Sequence, residues 1–187
     1  CSICFDVIDT HWNPIVQCSL CNLRVHKCCY GVSDNEITNW KCSRCKHKDD
    51  QRSSMNYTCV LCNIKKNNEE DAVKLTISNN WAHVLCSLFI PEIKYGNAKT
   101  MEPIECINLI DEKKWKKKCI VCDKSDGVCV TCHWKGCSKT FHVTCAAINH
   151  QKFSIEENGR NGNLYAAIYC SDHTQSLMVN TKTLYYL

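Results

Sequence analysis

The sequence has 187 residues, of which 19 are cysteines, and a formal net charge of +4. Cysteine at this density is typical of disulfide-bonded secreted proteins or of metal-binding proteins. The odd cysteine count argues against complete disulfide pairing, and no stretch resembles a signal peptide or a membrane span. We therefore expect a reducing compartment, the cytosol or the nucleus. The chain opens on a cysteine of its first motif without a preceding methionine, and we expect it to be a piece of a longer protein.

The spacing of the cysteines distinguishes metal binding from disulfide bonding. Most of them stand in pairs with two residues between, beginning with Cys1 and Cys4. A Cys-x-x-Cys turn directs two thiolates at one point, which suits tetrahedral Zn²⁺ with Zn–S bonds of about 2.3 Å. Three further pairs have the form His-x-x-Cys and begin at His26, His83 and His142. The pattern predicts zinc sites.

Residues 1–48 contain four such pairs, which is enough for two zinc sites. Their order, four cysteines, one histidine and three cysteines, resembles the PHD finger, whereas a RING finger places its histidine fourth. In the PHD pattern the pairs interleave. The resemblance implies one zinc bound by Cys1, Cys4, His26 and Cys29, and another bound by Cys18, Cys21, Cys42 and Cys45. Trp40 stands where PHD fingers carry a buried tryptophan, and Cys28 has no ligand role.

Residues 49–110 contain one pair of each kind, Cys59 with Cys62 and His83 with Cys86. Together they predict a single Cys3His site, a zinc knuckle. The string WAHVLCSLFIPE, which starts at residue 81, has the apolar spacing of an amphipathic helix that ends at Pro91. The expected apolar contacts of this helix are Val84, Leu85, Leu88 and Phe89.

Residues 111–176 repeat the eight-ligand order, with a Cys-His pair at the end. By the same interleaving, one zinc site takes Cys119, Cys122, His142 and Cys145, and another takes Cys132, Cys137, Cys170 and His173. Cys129 is an alternative to Cys132, but the extended PHD pattern uses the cysteine nearer to the following ligand, which favours Cys132. Residues 177–187 could form a final element packed on this unit or begin another domain.

The order of the three units resembles the PHD finger, zinc knuckle and extended PHD finger module of chromatin proteins. This module occurs in bromodomain-PHD scaffold subunits of histone acetyltransferase complexes, JADE proteins, AF-type leukaemia-fusion partners, double-PHD histone demethylases and fungal chromatin regulators. The resemblance covers residues 1 to about 175 and includes the strings CYGV, WAHVLC, MEPIE and FHVTCA. It implies a small zinc-stabilised α+β fold, in which a cross-brace PHD finger, the knuckle and the extended PHD finger pack as one module with five structural zinc ions.

The ligand count argues against an enzyme. Twenty ligands fill five sites and leave Cys28, Cys106 and Cys129 outside them. Closed four-ligand sites have no position for a catalytic water. The His-x-Glu and Pro-Cys-x-x-Cys strings of nucleobase deaminases do not occur in the sequence. The three remaining cysteines are expected to be small buried residues and not nucleophiles.

Charge indicates where nucleic acid would bind. Sixteen ligand thiolates with five Zn²⁺ would change the formal charge to about −2, with the third unit at about +2. The string DEKKWKKKC places five lysines around Trp115, and such lysines contact phosphates without reading bases. Extended PHD fingers of similar modules are implied to bind DNA without sequence preference, and a solvated linker face is the alternative. The predicted DNA-contacting residues are Lys113, Lys114, Lys116, Lys117, Lys118, Lys135 and Lys139.

PHD fingers typically bind the amino-terminal tail of histone H3 by strand addition, beside the strand that precedes the third ligand. Here that strand is NPIVQ, 13–17, in which Pro14 lacks an N–H for one rung. Ser19 replaces the usual Asp, and Arg24 replaces the second wall of a trimethyl-lysine cage whose first wall would be Trp12. An unmodified lysine would use nearby acids instead. The predicted histone-contacting residues are Asp6, Asp9, Trp12, Asn13, Ile15, Val16 and Gln17.

These properties together predict a nuclear, non-enzymatic chromatin reader that binds the H3 tail through its first unit and DNA through its third. Other subunits of a histone-modifying complex are expected partners, and a membrane is not. The knuckle would join the two fingers, so that two weak contacts gain from effective concentration. The alternative is an interaction scaffold without histone contact of its own. A RING-type ubiquitin ligase is disfavoured by the ligand order.

Overall fold

The structure is a computed structural model that describes residues 1–48, 57–64, 71–157 and 164–180. We call the three segments the first finger (1–48), the knuckle (up to residue 110) and the third finger (111–176); the predicted start of the second unit at residue 49 lies outside the described residues. The longest helix among the described residues extends over ten of them. Among the described residues, no helix is both long enough and apolar enough to cross a bilayer.

Every strand pairs with a single antiparallel partner, so that the described residues contain five separate two-stranded sheets. Such small sheets are not stable alone in water and need packing or metal to hold them. The pairs are β1 (Ile15–Gln17) with β2 (Arg24–His26), β3 (Val73–Leu75) with β4 (Trp81–His83), β5 (Lys94–Tyr95) with β6 (Ile104–Glu105), β7 (Cys129–Thr131) with β8 (Thr140–His142), and β9 (Phe153–Glu157) with β10 (Leu164–Ile168).

The helices are equally short, and most of them follow a zinc-ligand motif. The helix predicted from the string that starts at Trp81 is present but shorter: residues 81–83 form a strand, and the helix begins at Val84 and ends at Phe89, shortly before Pro91. The helices are α1 (Lys27–Tyr30), α2 (Ser43–Lys46), α3 (Val84–Phe89), α4 (Glu112–Trp115), α5 (Val143–Ile148) and α6 (Ser171–Asn180), with 3₁₀ turns at Asp34–Asn39 and Ile107–Leu109.

The three His-x-x-Cys motifs share one local structure. His26, His83 and His142 each end a strand in an extended conformation, with φ between −62° and −66° and ψ between 137° and 143°, and each precedes a short helix. The cysteine three residues later lies in the first turn of that helix. The bend from strand to helix therefore brings the histidine ring and the thiol to one point.

Two cores hold the segments together. The larger core contains Leu61 and Phe89 of the knuckle with Phe141 and Ile168 of the third finger, and Phe89 also packs edge-on against Phe153 with ring centroids 4.8 Å apart. Knuckle and third finger therefore share one interior. This packing, with the small strands and helices, confirms the predicted zinc-finger α+β fold class.

The smaller core belongs to the first finger. It contains Trp40, which is 2% exposed and was predicted to be buried, and whose ring lies 5.1 Å from Tyr30 in an edge-on contact. Ala72, Val84 and Met101 complete this core from the knuckle side. The first finger thus also packs against the knuckle, although through fewer apolar residues.

A buried lysine joins the first finger to the knuckle. Lys74 Nζ lies 4.1 Å from the centre of the Tyr30 ring, donates to the Thr100 carbonyl at 2.6 Å and lies 3.6 Å from a Glu102 carboxylate oxygen. The Tyr30 hydroxyl donates to the Val73 carbonyl at 2.9 Å. Burial lowers the pKa of Lys74 to about 8, and the Glu102 carboxylate opposes that shift.

A tight backbone contact joins the knuckle to the third finger. The Val128 N–H donates to the Leu61 carbonyl at 2.6 Å. The neighbouring Gly127 has φ +138°, and a Cβ there would lie 2.9 Å from the Cys62 Cα. Only glycine fits this approach, because any side chain would collide with backbone that carries a metal-ligand motif.

The end of the chain is helical as far as it is described. Helix α6 begins after Cys170 and continues to Asn180, so the predicted tail from residue 177 starts inside this helix. Residues 181–187 lie outside the described residues.

Candidate metal centres and strand edges

The structure brings together five clusters of four cysteine or histidine side chains. In each cluster the candidate ligand atoms all lie within 4.8 Å of one another. The clusters contain the same residues that the sequence pattern grouped, with Cys132 and not Cys129 in the last. They are Cys1, Cys4, His26 and Cys29; Cys18, Cys21, Cys42 and Cys45; Cys59, Cys62, His83 and Cys86; Cys119, Cys122, His142 and Cys145; and Cys132, Cys137, Cys170 and His173.

The distances within these clusters fit tetrahedral zinc. Ideal Zn–S and Zn–N bonds place two sulfurs about 3.8 Å apart and a sulfur and a nitrogen about 3.6 Å apart. Cys21 Sγ and Cys42 Sγ are separated by 3.8 Å. The histidines present Nδ1 in every case, at 3.1 Å from Cys170 Sγ for the closest pair and 3.9 Å from Cys29 Sγ for the widest. The thiolate and imidazole donors and their spacing both suit Zn²⁺.

Three of the Cys-x-x-Cys pairs use the same turn. The residue after the second cysteine is Phe5, Asn63 or Asp123, and its N–H donates to the carbonyl of the first cysteine at 2.8–3.0 Å. All three residues have positive φ, between 53° and 62°. Asn and Asp tolerate this conformation better than most residues, whereas a phenylalanine there is strained.

The first thiol of every cluster accepts a backbone hydrogen bond from the third ligand. The donors are the N–H groups of His26, Cys42, His83, His142 and Cys170, at 3.2–3.4 Å from the Sγ atoms of Cys1, Cys18, Cys59, Cys119 and Cys132 respectively. Hydrogen bonds of this kind favour the thiolate over the thiol. The repeat therefore prepares one charged sulfur in each site by backbone geometry alone.

The Nε2 atoms of the three His-x-x-Cys histidines differ in their environments. His83 Nε2 lies 3.0 and 3.1 Å from the two oxygens of Asp71, which is itself buried. His26 Nε2 lies 2.8 Å from the Ile8 carbonyl, and His142 Nε2 is buried with no hydrogen-bond partner among the described residues. A carboxylate on a ligating histidine fixes the ring and makes it a stronger donor to metal. Asp71 was missed from the sequence, because nothing in its spacing separates it from the other acids of NEEDAV.

Cys129 lies outside the clusters and is a thiol in the interior. Its Sγ donates to the Lys117 carbonyl at 3.3 Å. Burial, reinforced by the charges of Cys119 and Cys122, raises the pKa of Cys129 to about 12. A protonated, buried cysteine is the expected state for a residue that packs and does not bind metal.

The sheet of the first finger has one open edge. The Lys27 N–H donates to the carbonyl of Pro14 just before β1. Since backbone groups alternate sides along a strand, Pro14 and Val16 face β2, and Ile15 and Gln17 face the opposite edge. Among the described residues, no backbone group pairs with the Ile15 carbonyl or with either backbone group of Gln17. This edge can accept an added strand.

The predicted histone-contacting residues lie differently around this edge. Trp12 is 69% exposed, and Asp9 accepts the Ile15 N–H at 2.9 Å, so that one rung of the edge is already used. Asp6 accepts the N–H groups of the two residues that follow it. Asn13 and the Val16 side chain are buried, and Asn13 accepts the Cys28 N–H at 2.9 Å. Both therefore face the interior.

The corresponding strand of the third finger has a basic segment beside it. The Cys132 N–H donates to the Lys139 carbonyl, so Cys129 and Thr131 turn their backbone groups away from β8. Lys117 contacts two side chains of this strand: its Nζ donates to Thr131 Oγ1 at 3.0 Å, and its carbonyl accepts from the Cys129 thiol at 3.3 Å. The basic segment that was predicted to contact DNA thus lies against β7.

The predicted DNA-contacting lysines fall into three groups. Lys114 donates to both oxygens of Glu92 in the knuckle at 2.7 and 2.9 Å, and both side chains are partly buried. Lys113 and Lys135 are exposed and have no ion-pair partner in the described part of the chain. The remaining lysines make the contacts Lys116 to Glu112, Lys117 to Thr131, Lys118 to Asp123 and Lys139 to Asp172.

Comparison with protein families gives two matches. Residues 57–173 match the family model described as PHD-zinc-finger like domain, and residues 12–46 match the PHD-finger model. The solved structure of the zebrafish PHF14 PZP module resembles this chain with a TM-score of 0.69 and 28% sequence identity, over 92% of this chain and 86% of that one.

Curated proteins give further likenesses. The chain is 38% identical to the bromodomain-containing protein homolog of Drosophila melanogaster over 93% of its own length, 37% identical to bromodomain and PHD finger-containing protein 3 of Mus musculus over 96%, and 35% identical to protein AF-17 of Homo sapiens over 78%. It spans only 12%, 15% and 13% of these relatives, respectively.

Proposed function

Since this chain belongs to the PHD-type zinc-finger family and has the PHD finger, knuckle and extended PHD arrangement, we propose that it serves in the nucleus as a chromatin reader or scaffold module. Within that role we propose that its first finger binds the amino-terminal tail of histone H3. The observation that carries the finer proposal is the open edge of β1, where Ile15 and Gln17 present unpaired backbone groups.

An extended peptide would add to β1 as a third strand. Gln17 offers both an N–H and a carbonyl, and Ile15 offers its carbonyl, so three backbone hydrogen bonds are open to the peptide. Asp9 already holds the Ile15 N–H. Its second carboxylate oxygen has no hydrogen-bond partner among the described residues, and a basic side chain of the tail would meet it beside the edge.

The surroundings of the edge favour an unmodified lysine over a trimethylated one. Trp12 is exposed, but among the described residues no aromatic ring packs near it to complete a cage. Arg24, which stands at the position of the second wall, donates to the Gln17 side chain at 3.1 Å. A trimethylammonium group needs several aromatic faces, whereas a primary ammonium gains from Asp9.

We propose that the five clusters each bind one structural Zn²⁺ through the residues grouped above. The ions would supply the folding free energy that a large apolar core supplies elsewhere, at about 10–16 kcal/mol per site in small fingers. No catalytic role is proposed, because each cluster already offers four ligands and a closed site has no position for a reacting water.

DNA contact through the third finger is the second part of the proposal. It is supported by Lys113 and Lys135, which are exposed and unpaired among the described residues. The pairs of Lys116 and Lys118 are also highly exposed. Exposed ion pairs contribute about 1 kcal/mol or less, so these lysines can exchange a carboxylate for a phosphate. Lys114 is excluded from this role, because it is held by Glu92 at the knuckle.

The test is a titration of the zinc-loaded chain with an H3 peptide of residues 1–20, unmodified or trimethylated at its fourth-position lysine. Gln17→Pro removes an N–H that faces the open edge and no backbone hydrogen bond to β2, and it loses only the exposed side-chain bond from Arg24, so the fold should persist. We expect this substitution to lower the affinity for the unmodified peptide by about tenfold or more, since a strand-pairing bond is lost.

The matched control is Thr131→Pro, which makes the same backbone change on the equivalent strand β7, where Lys117 contacts the Thr131 side chain. We expect Thr131→Pro to leave the peptide affinity unchanged. Equal affinities of the wild type and Gln17→Pro would contradict strand addition at β1. If no peptide binds to any variant, the scaffold alternative replaces the reader, and salt-dependent DNA binding measured in parallel decides whether the second part of the proposal survives.

A further inference from the structure

We propose that the hydroxyl of Thr144 in the third finger completes the zinc site of the knuckle and makes zinc retention there depend on the folding of the third finger. Thr144 belongs to neither the knuckle nor its ligand motif. It lies in α5, between His142 and Cys145, which belong to a different cluster.

The contact is direct and buried. Thr144 Oγ1 lies 3.3 Å from Cys62 Sγ and 3.3 Å from Cys86 Sγ. It also lies 3.4 Å from His83 Nδ1. The threonine is 3% exposed, and the four knuckle ligands are all buried. One hydroxyl of the third finger therefore faces three of the four knuckle ligands.

The charge of the knuckle site explains why a donor is needed there. Three thiolates and one Zn²⁺ carry a net negative charge, and the buried Asp71 carboxylate on His83 adds to it. A thiolate taken out of water needs hydrogen bonds to replace the lost hydration. Cys59 receives one from the His83 N–H at 3.2 Å. Among the described residues, Thr144 is the side-chain hydroxyl that reaches the sulfur of Cys62 or Cys86.

The position of Thr144 explains the coupling. It is two residues after His142 and one before Cys145, so the zinc site that orders α5 also sets the direction of the Thr144 hydroxyl. The equivalent positions in the other two His-x-x-Cys motifs are Cys28 and Leu85, and Cys28 is exposed. The third finger thus carries a hydroxyl at the position where the first finger has a thiol and the knuckle has a leucine.

The experiment measures zinc transfer from the full chain, loaded with five equivalents, to a chromogenic chelator. Thr144→Val keeps the shape of the side chain and removes the donor. We expect one zinc equivalent to leave about tenfold faster or to bind about tenfold more weakly, as is typical when a partner of a metal ligand is removed. Thr144→Ser keeps the hydroxyl and should restore retention.

Thr140→Val is the matched control. It removes a hydroxyl from the same finger that donates to the Lys118 carbonyl and reaches no cluster. Substitution of Co²⁺ for zinc provides a spectroscopic readout: the sulfur-to-cobalt charge-transfer band should shift in Thr144→Val and stay in place in the other two variants. Unchanged zinc release and an unchanged band in Thr144→Val would overturn the proposal, as would equal losses in Thr144→Val and Thr144→Ser.

A measurement on the wild type covers the case in which Thr144→Val does not fold. One equivalent of chelator is added, and amide hydrogen exchange is followed in 59–63 and 142–146. Coupling requires that both segments lose protection together. Independent loss, in which 59–63 opens and 142–146 stays protected at the wild-type level, would contradict the proposal.

Discussion

The first and third fingers follow the same ligand order, yet they differ in what lies beside the strand that precedes Cys18 in the first finger and Cys132 in the third. In the first finger this strand has an open edge at Ile15 and Gln17, with exposed apolar side chains at Val7, Ile8 and Trp12 nearby in sequence. In the third finger Lys117 lies along the equivalent strand. The zinc ligands therefore fix the framework, and the residues outside them decide which side chains surround each strand.

The two fingers also differ in how they depend on the knuckle. The third finger shares the large apolar core with it and sends Thr144 to its ligands. The first finger contacts it through a smaller core and the polar network of Lys74. Stability is therefore concentrated in the knuckle and third finger, and the open edge of β1 lies on the unit that shares fewer apolar contacts with the knuckle.

The largest expected effect tests this division with matched ligand substitutions. Cys62→Ser should remove the knuckle zinc and unfold the third finger with it, because a site of about 10–16 kcal/mol exceeds the total stability of a typical domain. Cys21→Ser removes a half-exposed ligand of the first finger and should leave the third finger folded. Zinc content by mass spectrometry under native conditions and thermal unfolding measure both.

Loss of one zinc in Cys21→Ser and of two or more in Cys62→Ser is the expected result. If both variants lose a single zinc and keep the rest of the chain folded, the units are independent and the comparison fails.

The second effect compares two contacts that each contain a glycine. One joins the first finger to the knuckle at Gly31, and the other joins the knuckle to the third finger at Gly127. A Cβ at Gly31 would lie 2.5 Å from the Lys99 carbonyl oxygen, and a Cβ at Gly127 would lie 2.9 Å from the Cys62 Cα. Both glycines have positive φ. Gly31→Ala and Gly127→Ala should each lower the free energy of unfolding by about 2–4 kcal/mol, from backbone strain together with overlap.

Gly136→Ala is the control for strain without overlap. Gly136 has φ +82° and nothing within 4 Å of an added Cβ, so a cost of about 1 kcal/mol is expected. Chemical denaturation of the zinc-loaded variants gives the three values. Equal costs at Gly127 and Gly136 would mean that the contact between the knuckle and the third finger adjusts to an added methyl group without strain. This result would contradict the shared interior.

The zinc framework could be predicted from sequence because ligand spacing is a local property. Two residues between ligands fix a turn, and the His-x-x-Cys bend occurs three times with nearly the same backbone angles. The choice of Cys132 over Cys129 needed the family pattern, and the structure explains it: Cys129 turns its thiol to the Lys117 carbonyl.

The contacts between units could not be predicted, because they depend on residues far apart in the chain. Asp71 and Thr144 reach the same knuckle site from 12 residues before His83 and from 61 residues after it. The sequence likewise predicted that all the lysines of the basic segment contact DNA. It could not show that Lys114 pairs with Glu92, because that pair depends on where the knuckle lies.

A third, smaller effect concerns the pH dependence of stability at Lys74, which joins the first finger to the knuckle. Because Lys74 has a folded pKa of about 8 against an ordinary value of 10.5, the unfolded chain binds more protons between these values. The stability of the wild type should therefore rise with pH in that window, by up to about 1 kcal/mol per pH unit, and this contribution should be lost as pH falls through 8.

Lys74→Met keeps a long apolar side chain over the Tyr30 ring and removes the titrating group. The free energy of unfolding of the zinc-loaded variant, measured from pH 7 to 10.5, should lack the wild-type slope. If the free energy of unfolding depends on pH in the same way for the two proteins, Lys74 keeps an ordinary pKa in the folded chain. The contact between the first finger and the knuckle would then be more hydrated than its burial indicates.

The smallest effect separates two neighbouring lysines of the third finger by their partners. Lys113 is exposed and unpaired in the described part of the chain, and Lys114 is fixed to Glu92. Lys113→Met should lower the dependence of log affinity for duplex DNA on log salt by about 0.9, because one phosphate contact is lost. Lys114→Met should leave that slope unchanged and lower the free energy of unfolding by about 1 kcal/mol, since a half-buried pair is broken. Equal changes of slope would mean that Lys114 leaves Glu92 to contact DNA. The basic segment would then be mobile and not fixed to the knuckle by this ion pair.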